Sequence, residues 1–210
     1  MKTLLNTYNR IKPDIEKRLN EFINISQNND KQRILSELYF CILTPQSKAK
    51  YCWQAIEELN EKGVLNNGIK EIPDGILNRI RFKNNKAKYI MELKNKLSSG
   101  FGLIEMILNK GVSQKEKRDF IVENIKGIGY KEGSHFLRNI GLGFELSILD
   151  RHILKNLKKY KIIEEIPKTL TKSKYFEIEN RMKKFSNKIN IPMPHLDLLF
   201  WYMETGEVFK

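Results

Sequence analysis

Hydrophobic residues along the chain recur at the three- and four-residue spacing of amphipathic helices, and no segment sustains the alternation of a half-buried strand. The clearest stripe is the first one, formed by Leu4, Tyr8, Ile11, Ile15, Leu19 and Phe22. Similar stripes follow along the chain, separated by stretches that contain Asn, Gly and Pro, the residues typical of turns. The pattern predicts an all-α fold.

Interruptions in the first half of the chain predict where helices begin and end. Asp30 precedes the second apolar stripe and is expected to cap that helix. Pro45 should end it, since proline lacks an amide hydrogen and restricts the residue before it. Ser47 is then expected to cap the third helix. Pro73 is expected to open a short helix that ends near Ile80.

The most distinctive stretch lies in the second half of the chain. Ser113 and Glu116 have the spacing of a capping box, which predicts a helix that begins there. Gly127 and Gly129 then allow a tight turn, a second helix follows, and Gly141 ends it. Two helices joined by a glycine hairpin can bind phosphate, because the backbone can approach closely and helix-start amides attract negative charge.

The same glycines could also belong to other motifs. A dinucleotide fingerprint needs its third glycine where Glu132 stands, and Gly133 comes one residue too late. A Walker loop needs Gly-Lys-Ser or Gly-Lys-Thr, which is absent here. A plain turn between two packed helices stays open on the glycines alone. Lys131 stands where the second helix begins.

Composition favours a polyanionic partner for this chain. The net charge is +13 and the isoelectric point is near 9.6, which suggests nucleic acid first and an anionic membrane surface second. No apolar run approaches the length of about 18 residues that spans a bilayer. Two cysteines, Cys41 and Cys52, fit a reducing compartment, so a cytoplasmic location is expected. His135, His152 and His195 show no metal-binding spacing.

The motif also carries a family resemblance. The string from Gly127 to Gly141 reads Gly-Ile-Gly-Tyr-Lys-Glu-Gly-Ser-His-Phe-Leu-Arg-Asn-Ile-Gly, and Asp150 follows 19 residues after Lys131. This combination resembles the signature of the helix-hairpin-helix DNA glycosylases. The same string and the chain ending, Leu-Asp-Leu-Leu-Phe-Trp-Tyr, resemble the archaeal-type 8-oxoguanine DNA glycosylase/AP lyases more closely than the endonuclease III branch. The likeness covers essentially the whole chain.

The resemblance implies a two-lobed helical architecture. A helical-barrel lobe is expected over residues 31–140, ending in the helix-hairpin-helix motif at 113–141. Residues 1–30 and 141–210 are expected to form the second lobe. With only two cysteines, the chain cannot hold the four-cysteine iron–sulfur cluster of many endonuclease III relatives. No cofactor is expected.

The resemblance further implies the catalytic pair. Lys131 is expected to attack the sugar C1′, displace the damaged base and form a Schiff base that also permits β-elimination of the 3′ phosphate. Asp150 is expected to stabilise the positive charge that develops on the sugar. Asp150 also has the position of an N-cap for the helix that begins at Arg151, and both roles can hold together.

The remaining expected site residues contact the base or the DNA backbone. The base pocket implied by the family is formed by Phe82, Met193, Asp197, Trp201 and Lys210. For Trp201 and Phe82 the simpler alternative is an ordinary place in the hydrophobic core. Gln46 departs from the family, which usually has Asn at this point, and it is expected to fill the gap left by the flipped nucleotide.

The hairpin itself is expected to bind DNA through Lys126, Gly127 and Gly129. As in family relatives, a monovalent cation is expected at three backbone carbonyls, which belong to Glu123, Ile125 and Ile128. No metal site formed by side chains is expected.

The predicted function is removal of oxidised purine, 8-oxoguanine above all, from double-stranded DNA, with cleavage of the abasic site by a lysine Schiff base. The predicted enzyme is a bifunctional DNA glycosylase/AP lyase that acts as a monomer and has no membrane partner. Two alternatives stay open. One is a glycosylase for another damaged base, and the other is a non-catalytic helix-hairpin-helix module that binds DNA.

Overall fold

The computed structural model describes residues 1–65 and 71–209, and this part of the chain contains helices and no strand. The prediction of an all-α fold is therefore confirmed. No helix within the described ranges is long and apolar enough to cross a membrane. In chain order the helices are α1 Lys2–Gln27, α2 Lys31–Leu43, α3 Ala49–Glu61, α4 Lys83–Ser98, α5 Leu103–Leu108, α6 Gln114–Asn124, α7 Tyr130–Asn139, α8 Arg151–Lys159, α9 Lys172–Lys188 and α10 Met193–Thr205.

Several helix ends follow directly from local sequence. The Asp30 carboxylate accepts a hydrogen bond from the Arg33 amide at 2.9 Å and caps α2. Ser113 and Glu116 form the predicted capping box at the start of α6. Gly141 ends α7 at φ +74°, where an added Cβ would lie 2.6 Å from the Cα of Ile23 in α1. Only glycine fits both the left-handed backbone and this close approach of α1.

Two of the early boundary predictions are wrong. Helix α3 begins at Ala49 with Lys48 as its N-cap, and the Ser47 hydroxyl instead accepts a hydrogen bond from the Arg81 amide at 3.0 Å. The stretch after Pro73 forms turns rather than a helix. Gly75 has φ +93°, in the left-handed region, and a right-handed helix cannot pass through that conformation.

The hydrophobic core has two parts. One consists of buried side chains from residues 34–146, contributed by α2 to α7. The other consists of buried side chains from residues 4–22 and 149–200, contributed by α1, α8, α9 and α10. The N-terminal helix therefore packs with the C-terminal helices, as the contacts between α1 and α10 show. The exact lobe boundaries stay a prediction.

Candidate active site

A cavity of about 700 Å³ opens where the two parts of the core meet. Its walls come from the α2–α3 loop, one face of α7 between Lys131 and Arg138, the segment that leads into α8, and α10. Five of the residues predicted to form the site line this cavity together: Gln46, Lys131, Asp150, Asp197 and Trp201. The fold thus brings together side chains that lie up to 155 positions apart in the sequence.

Lys131 is the second residue of α7 and lies close to the helix N-terminus. Its side chain is 22% exposed, and its ammonium lies 3.4 Å from Glu132 Oε1. His135 and Arg138 follow at four and seven residues, which places them on the same face of α7, and both also line the cavity. The sequence analysis missed these two residues, although the helical spacing from Lys131 could have indicated them.

Asp150 is the N-cap residue of α8, and a hydrogen bond from the first turn of that helix fixes its side chain. Its Oδ1 accepts a hydrogen bond from the Ile153 amide at 2.8 Å, so the carboxylate caps α8 as predicted. The positive end of the α8 dipole attracts negative charge at this position. Asp150 therefore offers a negatively charged oxygen at a fixed place in the wall of the cavity that Lys131 shares.

Asp197 and Arg138 form a buried ion pair in the same wall. Arg138 Nη2 lies 3.5 Å from Asp197 Oδ2, and both side chains are almost completely buried. Burial raises the pKa of Asp197, Arg138 and Lys131 oppose the shift, and the negative charge of Asp150 adds to it, so that the pKa is about 6. Burial lowers the pKa of Arg138, with Asp197 opposing that shift. The carboxyl group of Asp197 therefore titrates closer to neutrality than an exposed one.

Trp201 gives the cavity an aromatic wall. Its ring meets the His152 ring edge to face, with 5.0 Å between the ring centroids. The indole Nε1 is buried and has no hydrogen-bond partner among the described residues. A buried indole N–H usually has a partner, so this unpaired donor is unusual.

Gln46 lies at the cavity rim on the α2–α3 loop. It is exposed and adopts φ +55°, an unusual conformation for a residue other than glycine. Lys86, which the sequence analysis missed, holds this loop from α4 by hydrogen bonds. Lys86 precedes the buried Ile90 by four residues, so its place on the apolar stripe of α4 was a signal that could have been used.

The hairpin lies between α6 and α7, outside the cavity lining. Gly127 has φ +84°, and a Cβ there would lie 2.5 Å from the Tyr89 ring. The Gly129 amide donates to Glu132 Oε2 at 3.3 Å, so this predicted phosphate donor already has a partner within the chain. Lys126 is exposed and pairs with Glu92 at 3.0 Å.

The carbonyls predicted to bind a cation lie around this hairpin. The Ile125 carbonyl accepts a hydrogen bond from the Ile128 amide at 3.4 Å, which leaves room for a second partner on that oxygen. Over residues 1–65 and 71–209, no group of three or more His, Cys, Asp or Glu side chains could hold a metal ion.

The structure does not bring every predicted base-pocket residue into the cavity. Phe82 is 51% exposed with φ +59°, and its neighbour Arg81 lines the cavity instead. Met193 is 7% exposed and belongs to the second part of the core, because it begins the largely apolar helix α10. Lys210 lies outside the described residues. The base-pocket roles of these three residues stay predictions.

Comparison with known proteins agrees with this geometry. A family model described as 8-oxoguanine DNA glycosylase matches residues 15–191. An 8-oxoguanine DNA glycosylase/AP lyase of Fusobacterium nucleatum is 48% identical over 204 residues, which cover 97% of this chain and 94% of that protein. The corresponding protein of Methanocaldococcus jannaschii is 40% identical and covers 95% of this chain and 93% of its own length.

Solved structures give the same result for the fold. The crystal structure of the 8-oxoguanine DNA glycosylase of Thermotoga maritima has a TM-score of 0.86 and 31% identity, and the match covers 100% of this chain and 97% of that one. The Methanocaldococcus jannaschii 8-oxoguanine glycosylase/lyase in complex with a 15mer DNA containing 8-oxoguanine has a TM-score of 0.81 and 34% identity, with 100% of both chains covered. The predicted helix-hairpin-helix glycosylase fold is confirmed, and the chain belongs to the 8-oxoguanine DNA glycosylase family.

Proposed function

We propose that this chain is a bifunctional DNA glycosylase/AP lyase that removes 8-oxoguanine from double-stranded DNA and then cleaves the abasic site. The observation that carries the proposal is the meeting of Lys131 and Asp150 in the wall of one cavity. A duplex buries its bases, so an enzyme of this kind takes the damaged nucleotide out of the stack and into a pocket.

The first step is displacement of the base. The neutral amine of Lys131 attacks C1′, a bond forms between Nζ and C1′, and the glycosidic bond breaks with its electron pair leaving on the base. Positive charge develops on the sugar in the transition state, and the fixed Asp150 carboxylate stabilises it. The proton that Lys131 loses can pass through Asp150 to the leaving base.

The second step is strand cleavage. The C1′–O4′ bond then breaks, its electron pair leaves on O4′, which takes up a proton, and the bond between Lys131 and C1′ becomes a protonated imine. The imine acidifies the C2′ proton, and its loss expels the 3′ phosphate by β-elimination. This chemistry needs no metal and no cofactor. Lys131 and Asp150 belong to the same chain, so the proposed chemistry does not require a second copy.

The geometry of the cavity wall supports the proposed base-binding roles. Trp201 offers an aromatic ring for stacking in the cavity wall. Gln46, at the rim with an exposed side chain, is suited to fill the space that the flipped nucleotide leaves in the duplex. The hairpin at Gly127 and Gly129, with Lys126, is suited to contact the DNA backbone next to the cavity.

Covalent trapping tests this proposal. Borohydride reduces the imine, so the wild-type chain should form a covalent complex with a duplex that contains 8-oxoguanine. Lys131→Gln should lose both trapping and strand cleavage while binding the duplex, because the amide keeps the size of the side chain but is not a nucleophile. Lys62→Gln is the matched control, since Lys62 pairs with Glu58 at the surface and does not line the cavity.

The outcomes separate the proposal from its alternatives. Trapping at wild-type yield by Lys131→Gln would place the nucleophile elsewhere. Binding without trapping or excision by the wild type would favour the non-catalytic module. Trapping on a duplex with a different damaged base, and none with 8-oxoguanine, would favour the alternative glycosylase.

A further inference from the structure

A buried polar network joins α6, α7 and α9 beneath the cavity wall. Arg118 of α6 and Glu179 of α9 form a two-point ion pair, with Nη1–Oε2 at 2.7 Å and Nη2–Oε1 at 3.0 Å. The Arg118 side chain is fully buried and the Glu179 side chain is 6% exposed. A buried ion pair requires good geometry and further hydrogen bonds to offset the loss of hydration, so the surrounding groups are part of the arrangement.

The same network holds the backbone that leads into Asp150. The Ser147 amide donates to Glu179 Oε2 at 2.8 Å, and the Tyr175 hydroxyl donates to the Ser147 carbonyl at 2.5 Å. The Leu149 amide reaches the same hydroxyl at 3.5 Å. Residues 147–149 belong to no helix, so these buried backbone groups depend on side chains of α9 for their hydrogen bonds.

The other end of the network touches the helix that carries Lys131. Ser134 lies three residues after Lys131 in α7, and its hydroxyl accepts a hydrogen bond from Arg118 Nη1 at 3.0 Å. That hydroxyl also lies 3.4 Å from the Tyr175 hydroxyl. One connected set of groups therefore contacts both the helix of the proposed nucleophile and the segment of the proposed carboxylate.

We propose that Tyr175 and Glu179 are positioning residues that set the place of Asp150 relative to Lys131. This proposal rests on the proposed function, because the position of Asp150 relative to Lys131 affects the rate only if these two residues carry out the reaction. Catalysis of this type depends on geometry, and a displacement of about 1 Å can cost about 100-fold in rate. The simpler alternative is that the network only stabilises the packing of α9.

Tyr175→Phe separates these two roles. The substitution removes the hydroxyl that bonds to Ser147 and Leu149 and keeps the ring that packs beside Arg118 and Tyr130. We expect the single-turnover rate of 8-oxoguanine excision at saturating enzyme to fall about 10-fold to 100-fold. The enzyme concentration that gives half-maximal binding to the same duplex should change by less than about twofold, because no DNA-contacting group is altered.

Tyr160→Phe is the matched control. Tyr160 lies in the same part of the core, and its hydroxyl contacts only the Met203 sulfur among the described residues, without reaching the 147–149 segment. It should keep the wild-type rate. A folded Tyr175→Phe variant with the wild-type rate would overturn the proposal. So would a loss of rate, affinity and melting temperature that Tyr175→Phe and Tyr160→Phe share.

Ser134→Ala provides a second test of the proposal if Tyr175→Phe does not fold. Ser134→Ala cuts the link from Arg118 to α7 and should also slow excision without weakening duplex binding, whereas an unchanged rate would count against the network. Failure of the proposed function gives a different result, since the wild type itself would then show no borohydride trapping. Wild-type trapping together with unaffected Tyr175→Phe and Ser134→Ala rates would refute the positioning role alone.

Discussion

The ammonium of Lys86 lies 2.7 Å from the carbonyl oxygen of Pro45 and donates a hydrogen bond to it. It also donates to the Leu43 carbonyl at 2.7 Å and to the Ser47 hydroxyl at 3.0 Å. These acceptors lie between the end of α2 and the start of α3, where the backbone has no helical partners. Burial lowers the pKa of Lys86. A buried cation therefore fixes the loop that presents Gln46 at the cavity rim.

Removing that cation should loosen the loop. Lys86→Met removes the ammonium from the Leu43 and Pro45 carbonyls, which keep only weaker contacts from the Cys52 thiol at 3.3 Å and the Ser47 hydroxyl at 3.5 Å. A poorly satisfied buried group costs about 1–3 kcal/mol. We expect a loss of about 2 kcal/mol or more in the free energy of unfolding, and weaker binding to a lesion duplex. Denaturant unfolding and duplex titration measure the two effects. Lys88→Met, at an exposed position on the same helix, should leave both close to wild type, and equal effects from the two variants would contradict the argument.

Gly127 and Gly100 provide a matched pair for the hairpin. Both have positive φ, +84° and +88°, so alanine costs about 1 kcal/mol or more at either place. A Cβ added at Gly127 would lie 2.5 Å from the Tyr89 ring, which is too close. A Cβ added at Gly100 would have no atom within 4 Å. Gly127→Ala should therefore reduce duplex affinity about tenfold or more, and Gly100→Ala should not. Equal affinity of the two folded variants would remove Gly127 from the DNA interface.

Asp197 predicts a pH dependence of stability. Burial, together with the charge of Asp150, raises its pKa from 3.8 to about 6 in the folded chain. The folded state therefore binds the proton more tightly than the unfolded state, and stability from this group is fully present below about 3.8 and is lost as the pH rises through about 6. The free energy of unfolding of the wild type, relative to Asp197→Asn, should fall by up to about 3 kcal/mol over that window and then level off.

Denaturant unfolding of the wild type and of Asp197→Asn between pH 4 and 7, at roughly one-unit intervals, checks this pH dependence. The amide of Asp197→Asn is neutral at every pH, so the variant's own pH dependence comes from the other titratable groups, and subtracting it isolates the titration of Asp197 beside Arg138. A difference that stays constant, or that grows with pH, would show that Asp197 does not carry the raised pKa.

Duplex binding should depend steeply on salt. The chain has a net charge of +13, and lysine contacts with phosphates release counterions when the complex forms. The logarithm of the binding constant should fall linearly with the logarithm of the salt concentration, and Lys126→Gln should reduce the slope by about one if that ammonium reaches a phosphate. Fluorescence anisotropy at several salt concentrations measures the slope, and an affinity that does not respond to salt would argue against backbone binding.

Local sequence determined much of this molecule. The stripe from Leu4 to Phe22 repeats at helical spacing, and all six of its members are buried in α1. The caps at Asp30, Ser113 and Asp150 form as predicted. Such features depend on neighbours within about four residues, since a capping side chain reaches only the amides of the next turn. The motif around Lys131 likewise identified the family, because its glycines and its lysine are close in the chain.

Tertiary packing alone decided which charged residues became buried. Lys86 is one of 38 basic residues, and only its place under the α2–α3 loop gives it three acceptors. Arg118 and Glu179 are 61 residues apart, and they form a buried ion pair because the fold brings α6 and α9 together. Packing also left Phe82 exposed and placed Met193 in the core. Burial of a polar group depends on partners from distant helices, and one-dimensional periodicity does not contain that information.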